Sequence, residues 1–285
     1  MSCKGKTMKK FCVISNSLKD PGLKEGHTVC RKIGQLVPGE EVQLLDVCDK
    51  ELPVAEGTDA LLVLGGDGTL LSVAIRLRKL DIPMLGINLG HVGYLAEVEA
   101  GEVEGAIKRI LNNEFVIEER MMLAGFTQIG GDKSDLEHAL NDIVLSRHGD
   151  LQVASYRIYV NDVFLYEYSG DGIIISTPTG STGYNLSAAG PIVEPSASLL
   201  VLTPICPHTL NTRSIVLSDE DIIRVELLPG RSAKEAAAGT YFDGVPLGVL
   251  SAGDYIEVRK SKRVCRFIKL GSDGFLQVLR KKLVN

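Results

Sequence analysis

Five apolar residues, Ala60–Leu64, lead directly into the glycine-rich segment Gly65-Gly66-Asp67-Gly68-Thr69. A short apolar run bounded by glycine predicts a buried strand that ends in a tight turn. The helical spacing from Leu70 to Leu80 predicts a helix after that turn. Strand, turn and helix in this order are the repeating unit of a parallel sheet covered by helices, so this part of the chain is predicted to be α/β.

The same turn carries the chemistry of a phosphate site. Closely spaced glycines bring backbone N–H groups near a phosphate, and Asp67 adds a proton acceptor beside them. The segment is not a P-loop, because no Gly-Lys-Ser/Thr follows, and it is not a dinucleotide fingerprint, because Leu71 occupies the third glycine position. An aspartate near a polyphosphate indicates a catalytic base or a metal contact. A purely structural turn is the alternative, since glycine also serves turns that bind nothing.

The chain changes character near residue 120. Before this point, strand-like and helical segments alternate, which predicts a parallel sheet in an α/β domain. After it, short strand-like runs broken by turn signals predict a mainly antiparallel β domain. We therefore predict an N-terminal domain over residues 1–120, joined by residues 266–285, and a second domain over residues 121–265. Residues 273–283 have helical spacing and are expected to pack back on the first domain.

Composition and charge argue against a nucleic-acid or membrane partner. The chain of 285 residues is long enough for two domains or one large one, and its 45% hydrophobic residues can fill a sizeable core. The formal charge is −5, and the densest basic stretch, residues 259–263, is interleaved with strand-like residues, so nucleic-acid binding is not expected. The six cysteines form no Cys-x-x-Cys pair, and no apolar run approaches the length of a membrane span. We expect a cytoplasmic protein with reduced thiols and no membrane partner.

A second glycine-rich segment, residues 171–187, joins a strand to a turn dense in hydroxyl groups. The turn contains Thr177-Pro178-Thr179-Gly180-Ser181-Thr182-Gly183 and is followed by Tyr184. Hydroxyl and amide groups packed this closely can hydrogen-bond the sugar and base of a nucleotide, and Tyr184 offers a ring for stacking. An ordinary polar loop is the alternative. The helix-compatible residues 185–189 weigh against it, because they place the hydroxyls at a helix N-terminus.

The pair Asn141-Asp142 interrupts an apolar run, residues 139–145, that is predicted to be a single strand. Polar residues in such a run either cap a sheet edge or contact a ligand, and both interpretations stay open. An amide beside a carboxylate can bind a ribose diol, because together the two groups offer both hydrogen-bond donors and acceptors.

Together these segments resemble the NAD kinase family, and their order matches along most of the chain. The matching segments are residues 65–71, 86–97, 141–142, 171–187 and 207–213. Phosphofructokinases and the diacylglycerol and sphingosine kinases share the Gly-Gly-Asp-Gly turn, whereas the Thr-Pro-Thr-Gly-Ser-Thr segment is far more selective. The resemblance implies transfer of the terminal phosphoryl group of ATP, or of polyphosphate, to the 2′-hydroxyl of the adenosine ribose of NAD. Mg²⁺ or another divalent cation is expected to bridge the phosphates of the donor.

The resemblance also implies roles for individual residues. Asp67 matches the catalytic aspartate that accepts the proton of the attacking hydroxyl. The NAD-binding positions are Asp67, Gly68, Tyr94, Asn141, Asp142, Asp171, Thr182, Gly183, Tyr184, Asn185 and Ser187. Phosphate contacts are expected at Gly65, Gly66, Gly68 and Thr69, and no protein ligand to the metal is identified. Asp171 matches an acid that reaches a dinucleotide bound mainly by a neighbouring subunit, so we expect a homodimer or homotetramer with shared sites.

Three positions depart from the family pattern. Family members commonly have Asn-Glu at Asn141-Asp142, many bacterial relatives have arginine at Ser169, and glutamine is frequent at Val245. The first departure affects the expected contact with the sugar, and the other two affect contacts with the phosphoryl donor. Two alternative functions remain: a lipid kinase of the diacylglycerol type, which needs an apolar membrane-facing groove, and a dinucleotide sensor without turnover.

Overall fold

The structure is a computed structural model that describes residues 8–90, 93–149, 153–209, 212–230, 236–271 and 274–283. The chain folds into two compact units, Met1–Glu119 with Cys265–Asn285 and Arg120–Val264. We call them unit 1 and unit 2. Among the described residues, no helix combines the length and apolarity needed to cross a membrane.

Unit 1 is built on parallel strands. Up to residue 111 its elements are β1 (Phe11–Ser15), α1 (Lys24–Leu36), β2 (Gln43–Asp46), β3 (Ala60–Leu64), α2 (Asp67–Arg76), β4 (Met84–Asn88), β5 (Val98–Glu99) and α3 (Val103–Leu111). Parallel pairing gives the order β2-β1-β3-β4, and Phe267 from the end of the chain pairs with Met84 beyond β4. Strands β1, β3 and β4 are buried along their whole length, as expected for strands covered on both faces. The predicted α/β domain with a parallel sheet is confirmed.

Helix α2 differs from its predicted bounds of 70–80 at both ends. It begins at Asp67, because Gly66 adopts an extended conformation as N-cap and helical geometry follows at once. It ends at Arg76, four residues early, and Asp81 then turns the chain with a left-handed φ of 54° ahead of Pro83. The early start places Asp67 in the first turn of the helix, where the backbone N–H groups have no intrahelical acceptor.

Unit 2 is mainly antiparallel, as predicted. From residue 116 the elements are β6 (Val116–Ile129), β7 (Asp132–Lys133), β8 (Glu137–Ala139), β9 (Asp142–Arg147), β10 (Ala154–Val160), β11 (Val163–Gly170), β12 (Gly172–Ser176), α4 (Tyr184–Ser187), β13 (Leu199–Ile205), β14 (Ile215–Ser218), β15 (Ile223–Leu227), β16 (Ala237–Phe242), β17 (Val245–Ser251) and β18 (Tyr255–Lys269). One sheet has the order β14-β13-β12-β9-β16-β17, and β11, β10, β15 and β18 form a second antiparallel series. Apolar side chains from both sets form one buried cluster.

The predicted single strand over residues 139–145 is wrong. The structure has two strands, because the chain breaks at Leu140 and Asn141 between β8 and β9. Strand β8 pairs with β6, whereas β9 pairs with β12 and β16. At the break the N–H groups of Leu140 and Asn141 donate to the side chain of Asp243. A side chain therefore takes the place of a strand partner there.

The chain returns to unit 1 at its end. Ile268 and Leu270 join the apolar core of unit 1, and the Lys269 ammonium pairs with the Glu97 carboxylate at 2.7 Å. The last helix, α5 (Phe275–Leu283), places the Phe275 ring 6.3 Å from the Tyr94 ring. The predicted packing of the C-terminal helix on the first domain is confirmed.

Candidate active site

The carboxylate of Asp67 lies at the carboxyl end of β3, on the first residue of α2. Both of its oxygens accept backbone hydrogen bonds from the connection that follows β4: Oδ2 from the Tyr94 N–H at 2.8 Å and Oδ1 from the Leu95 N–H at 3.1 Å. Loops that follow neighbouring parallel strands meet at one sheet edge, which explains the contact across 27 residues. The carboxylate stays partly exposed and keeps lone pairs free for a further donor.

Gly93 is required by this arrangement. A Cβ added at Gly93 would lie 1.9 Å from Asp67 Oδ1, closer than any non-bonded contact allows. Any larger residue would therefore displace the carboxylate. Sequence reasoning placed Gly93 and Leu95 in a matching segment without giving them a role, because the direction of a backbone N–H group cannot be seen in a motif.

The four residues predicted to contact phosphate lie in different surroundings. Gly65 is buried and donates its N–H to the Ile87 carbonyl at 2.9 Å, while Gly68 is exposed beside open space. Gly66 approaches a cation, because the Lys19 Nζ lies 3.2 Å from the position that a Cβ on Gly66 would take. The positive end of α2 and this ammonium both place positive charge at the turn, beside the carboxylate of Asp67.

Thr69 lies underneath the turn. It is buried, its N–H donates to the Gly66 carbonyl at 2.9 Å, and its hydroxyl accepts a hydrogen bond from Asn16 Nδ2 at 3.1 Å. These bonds give Thr69 a structural role in supporting the turn. Its direct contact with phosphate stays a prediction.

Tyr94 is fixed both by its backbone and by its ring. Its N–H binds Asp67, its ring packs against Phe275, and the Lys282 Nζ lies 4.5 Å from the ring centroid. An ammonium over an aromatic face is attracted by the ring quadrupole. Burial, and then the charge of Asp67, raise the pKa of the Tyr94 phenol. Helix α5 therefore supports the residue whose backbone orients Asp67.

In unit 2, Asn141 and Asp142 lie where β9 begins. The Asn141 Oδ1 is buried and has no hydrogen-bond partner among the described residues. Asp142 is only 6% exposed, and burial, together with the charge of Asp243, raises the pKa of its carboxyl to about 7. A buried acceptor without a donor is costly, and the Asn141 Oδ1 is therefore able to accept a hydrogen bond from a further donor.

The hydroxyl-rich turn after β12 lies against this pair. A Cβ at Gly180 would be 2.1 Å from the Asn141 carbonyl oxygen, so only glycine allows the approach. A Cβ at Gly183 would be 3.7 Å from Asn141 Nδ2 and 4.0 Å from Asp142 Oδ2. The structure therefore brings Asn141, Asp142 and Gly183 together, as the family resemblance implied.

Four further predicted NAD-binding residues follow Gly180 in the chain. Thr182 is partly exposed, and Tyr184 and Ser187 are exposed, so all three are accessible. Asn185 is fully buried: its Nδ2 donates to the Ser181 and Pro191 carbonyls at 3.0 Å each. Its Oδ1 accepts from the Thr203 hydroxyl at 2.7 Å. The Asn185 side chain thus holds the turn in place, and its contact with NAD stays a prediction.

The remaining predicted residue, Asp171, and two of the departures also lie in unit 2, and the charge of Asp171 helps to raise the pKa of Tyr184. The Asp171 carboxylate pairs with the Arg147 guanidinium at 2.7 Å. Ser169, one of the departures, has its hydroxyl 2.8 Å from that of Ser155, and Val245 is exposed. Nowhere in the described part of the chain do three His, Cys, Asp or Glu side chains gather as a metal site.

Comparison with known proteins gives consistent matches over both units. The family model of the ATP-NAD kinase N-terminal domain matches residues 40–115, and that of the ATP-NAD kinase C-terminal domain matches residues 140–270. The NAD kinase of Agathobacter rectalis is 40% identical over 284 residues, which cover 98% of this chain and 99% of that protein. The NAD kinase of Ruminiclostridium cellulolyticum is 39% identical and covers 97% of this chain and 98% of its own.

Two solved structures share the fold. Yeast NADH kinase, crystallised with NADH, superposes with a TM-score of 0.86 at 22% identity, over 96% of this chain and 87% of that one. An NAD kinase from Archaeoglobus fulgidus in complex with ATP gives a TM-score of 0.76 at 24% identity, over 96% of this chain and 97% of that one.

Proposed function

The chain belongs to the NAD kinase family, and from this premise we propose that it transfers the terminal phosphoryl group of ATP to the 2′-hydroxyl of the adenosine ribose of NAD, forming NADP. The observation that carries the proposal is the Asp67 carboxylate, which begins α2 and is oriented by the N–H groups of Tyr94 and Leu95. Its remaining lone pairs suit it to accept a hydrogen bond from the attacking hydroxyl.

Asp67 acts mainly by orientation under this proposal. An alcohol is a far weaker acid than a carboxylic acid, so the proton leaves late, in a loose transition state with charge spread over the phosphoryl oxygens. The carboxylate aligns the hydroxyl and then takes its proton. Because Gly93 and the two backbone N–H groups fix the carboxylate, little reorganisation is needed when the substrate arrives.

The donor is proposed to bind at the glycine turn as its complex with Mg²⁺ or another divalent cation. Its phosphates meet the first N–H groups of α2, including that of the exposed Gly68, and the ammonium of Lys19. The phosphates of ATP themselves supply ligands to the cation, which leaves few for the protein to provide.

NAD is proposed to bind through its ribose to Asn141 and Asp142. The unpartnered Asn141 Oδ1 accepts a hydrogen bond from a ribose hydroxyl, and this bond removes the cost of burying a lone acceptor. Tyr184, which is 45% exposed, offers a ring face to the adenine. The β-rich unit 2 is the dinucleotide-binding domain in this proposal, and unit 1 is the phosphate-binding domain.

A single assay tests the proposal. The purified protein receives NAD or NADH, with ATP or polyphosphate as donor and Mg²⁺ present, and NADP(H) formation is recorded with a coupled dehydrogenase. We expect NADP from NAD and ATP, and the other three pairings define donor and acceptor range. No product from any pairing would refute the assignment. A dinucleotide sensor would bind NAD without product, and a lipid kinase would phosphorylate diacylglycerol instead.

Self-association is part of the proposal, because Asp171 matches an acid that serves a neighbouring subunit in the family. The Asp171 carboxylate is partly exposed beside Arg147, so it is accessible to a ligand. Light scattering at assay concentration is expected to give the mass of a dimer or tetramer. A monomer that is fully active would contradict shared sites.

A further inference from the structure

We infer that Asp243 is a positioning residue for the NAD half of the site, acting through the backbone of Asn141 and Asp142 rather than on substrate. This inference rests on the proposed function of that pair. Asp243 lies 101 residues after Asp142 in the chain, in the turn between β16 and β17. Its side chain nevertheless contacts every residue at the break that precedes β9.

The contact consists of three hydrogen bonds to successive backbone N–H groups. Asp243 Oδ2 accepts from Leu140 at 2.6 Å, and Oδ1 accepts from Asn141 at 2.7 Å and from Asp142 at 2.9 Å. The N–H of Asp243 donates in return to the Asp142 carbonyl at 2.9 Å. Hydrogen bonds to a charged group are stronger than neutral ones, so this one side chain fixes the path of three residues.

The backbone of the turn makes the contact possible. Asp243 has a left-handed φ of 48° and Gly244 follows with φ of 81°. Aspartate and asparagine tolerate this region better than other side-chain-bearing residues. The turn thereby directs a carboxylate at β9, the strand paired with β16.

The opposite side of Asn141 is fixed by the turn after β12. The Asn141 carbonyl accepts from the Thr177 N–H at 2.9 Å, and the Leu140 carbonyl accepts from the Thr177 hydroxyl at 2.6 Å. The backbone around Asn141 is therefore bonded on both sides, while its side-chain Oδ1 has no partner among the described residues. The direction of that oxygen depends on the backbone that Asp243 holds.

Charge couples the two carboxyl groups as well. Burial raises the pKa of Asp243 to about 6 although the three N–H bonds oppose the shift, and its charge helps to raise the pKa of Asp142. The titratable groups that face Asp142 are Asp243 from the turn after β16 and Tyr184 from α4. Strand β12 places the neutral Ser176 opposite Asp142. Removing the Asp243 charge must lower the pKa of Asp142.

The test is Asp243→Asn, with Asp254→Asn as matched control. Asparagine tolerates the left-handed backbone and keeps one accepting oxygen, but its amide cannot accept at the second position. Asp254 is also a turn aspartate of unit 2, and it accepts from the N–H groups of Gly130 and Ser251 at 2.8 Å each, away from Asn141. Both variants remove one carboxylate from a backbone cap.

We expect Asp243→Asn to raise the KM for NAD roughly tenfold, the scale of one charged hydrogen bond, with the KM for ATP unchanged within about twofold. In the wild type, the KM for NAD should rise as pH falls through about 7, and in Asp243→Asn this rise should move to lower pH. Asp254→Asn should lower the melting temperature without changing either KM. A merely structural role for Asp243 would not shift the pH profile.

Several outcomes overturn the inference. They are an unchanged KM for NAD, an equal rise for both substrates, and a pH profile that does not move. If Asp243→Asn does not fold, the wild-type profile decides, because a KM for NAD that is flat from pH 5.5 to 8.5 removes the coupling. Failure of the proposed function is distinguishable, since the wild type would then form no NADP at all.

Discussion

The two units place an aspartate of the candidate site in opposite environments, one partly exposed and one buried. Asp67 in unit 1 stays partly exposed, and backbone N–H groups of Tyr94 and Leu95 fix its direction. Asp142 in unit 2 is 6% exposed and lies beside a second buried carboxyl, Asp243. A group that must accept a proton needs an open position and a fixed direction. A group that holds a hydroxyl-rich ligand gains strength from a dry site, at a cost to the free protein.

Asp67→Asn tests the first half of this contrast and should have the largest effect. Turnover is expected to fall by roughly 10²–10⁴-fold, the usual contribution of a general base, because the amide cannot take the proton. NAD affinity, measured by calorimetry, should be nearly unchanged. Glu104→Gln, which removes a solvent-exposed acid on α3, is the control and should keep full turnover. Near-normal turnover in Asp67→Asn would show that Asp67 is not the base.

Gly93→Ala tests whether the position of the Asp67 carboxylate, apart from its chemistry, determines the rate. The new Cβ would lie 1.9 Å from Asp67 Oδ1, so the carboxylate must move while its chemistry is retained. Displacement of a catalytic group by about 1 Å typically costs on the order of 10²-fold in rate, and we expect that loss in kcat. Gly105→Ala on α3, where a Cβ meets open space, is the matched control. Equal kcat values for the two variants would contradict the role of Gly93.

Asp142→Asn tests the role of the buried aspartate of unit 2. It should weaken NAD binding while it stabilises the folded protein. The pKa of Asp142 is raised from 3.8 to about 7, so the folded state binds the proton more tightly and loses stability as pH rises through this range. We expect the variant to be more stable by about 1–3 kcal/mol at pH 8, with the gain shrinking toward pH 4.

Urea unfolding at the two pH values measures this gain. The KM for NAD of the same variant should rise roughly tenfold, since a charged hydrogen bond to the ribose is lost. A variant that is less stable at pH 8, or that binds NAD normally, would remove the contrast between the units.

Lys19→Met should give the smallest effect. An exposed ammonium near the turn contributes little at physiological salt, so the KM for ATP is expected to rise by about two- to fivefold. The rise should be larger at low ionic strength. Lys50→Met, at another exposed lysine of unit 1, should leave the KM for ATP unchanged at both salt concentrations. A salt-independent change would show that Lys19 does not act by charge.

Local patterns predicted much of the fold. The strand, the turn and the helix around Asp67, the parallel sheet and the antiparallel β domain follow from periodicity and glycine placement. The break at Leu140 and Asn141 did not, because the side chain that produces it is Asp243, about a hundred residues away. A local apolar pattern cannot reveal a partner so distant in the chain.

For the candidate site, the sequence indicated residue types, whereas the structure gives the directions in which their side chains and backbone groups lie. Asn141, Asp142 and Gly183 lie close together, as the family resemblance implied for residues of one ribose site, and their contact with NAD stays a prediction. Thr69 and Asn185 have the right chemistry for ligand contacts, yet the structure uses their side chains to support turns. Gly93 and Asp243 were given no role from the sequence, because their contributions are a missing Cβ and a set of hydrogen bonds to backbone N–H groups.

Unit 1 is discontinuous in the chain, and this has a consequence for synthesis. Ile268 and Leu270 complete its apolar core, Leu270 accepts a hydrogen bond from Arg109, and Phe275 supports Tyr94. A ribosome makes these residues only after all of unit 2. The nascent chain therefore carries Asp67 through the synthesis of all of unit 2 without the packing that completes its surroundings.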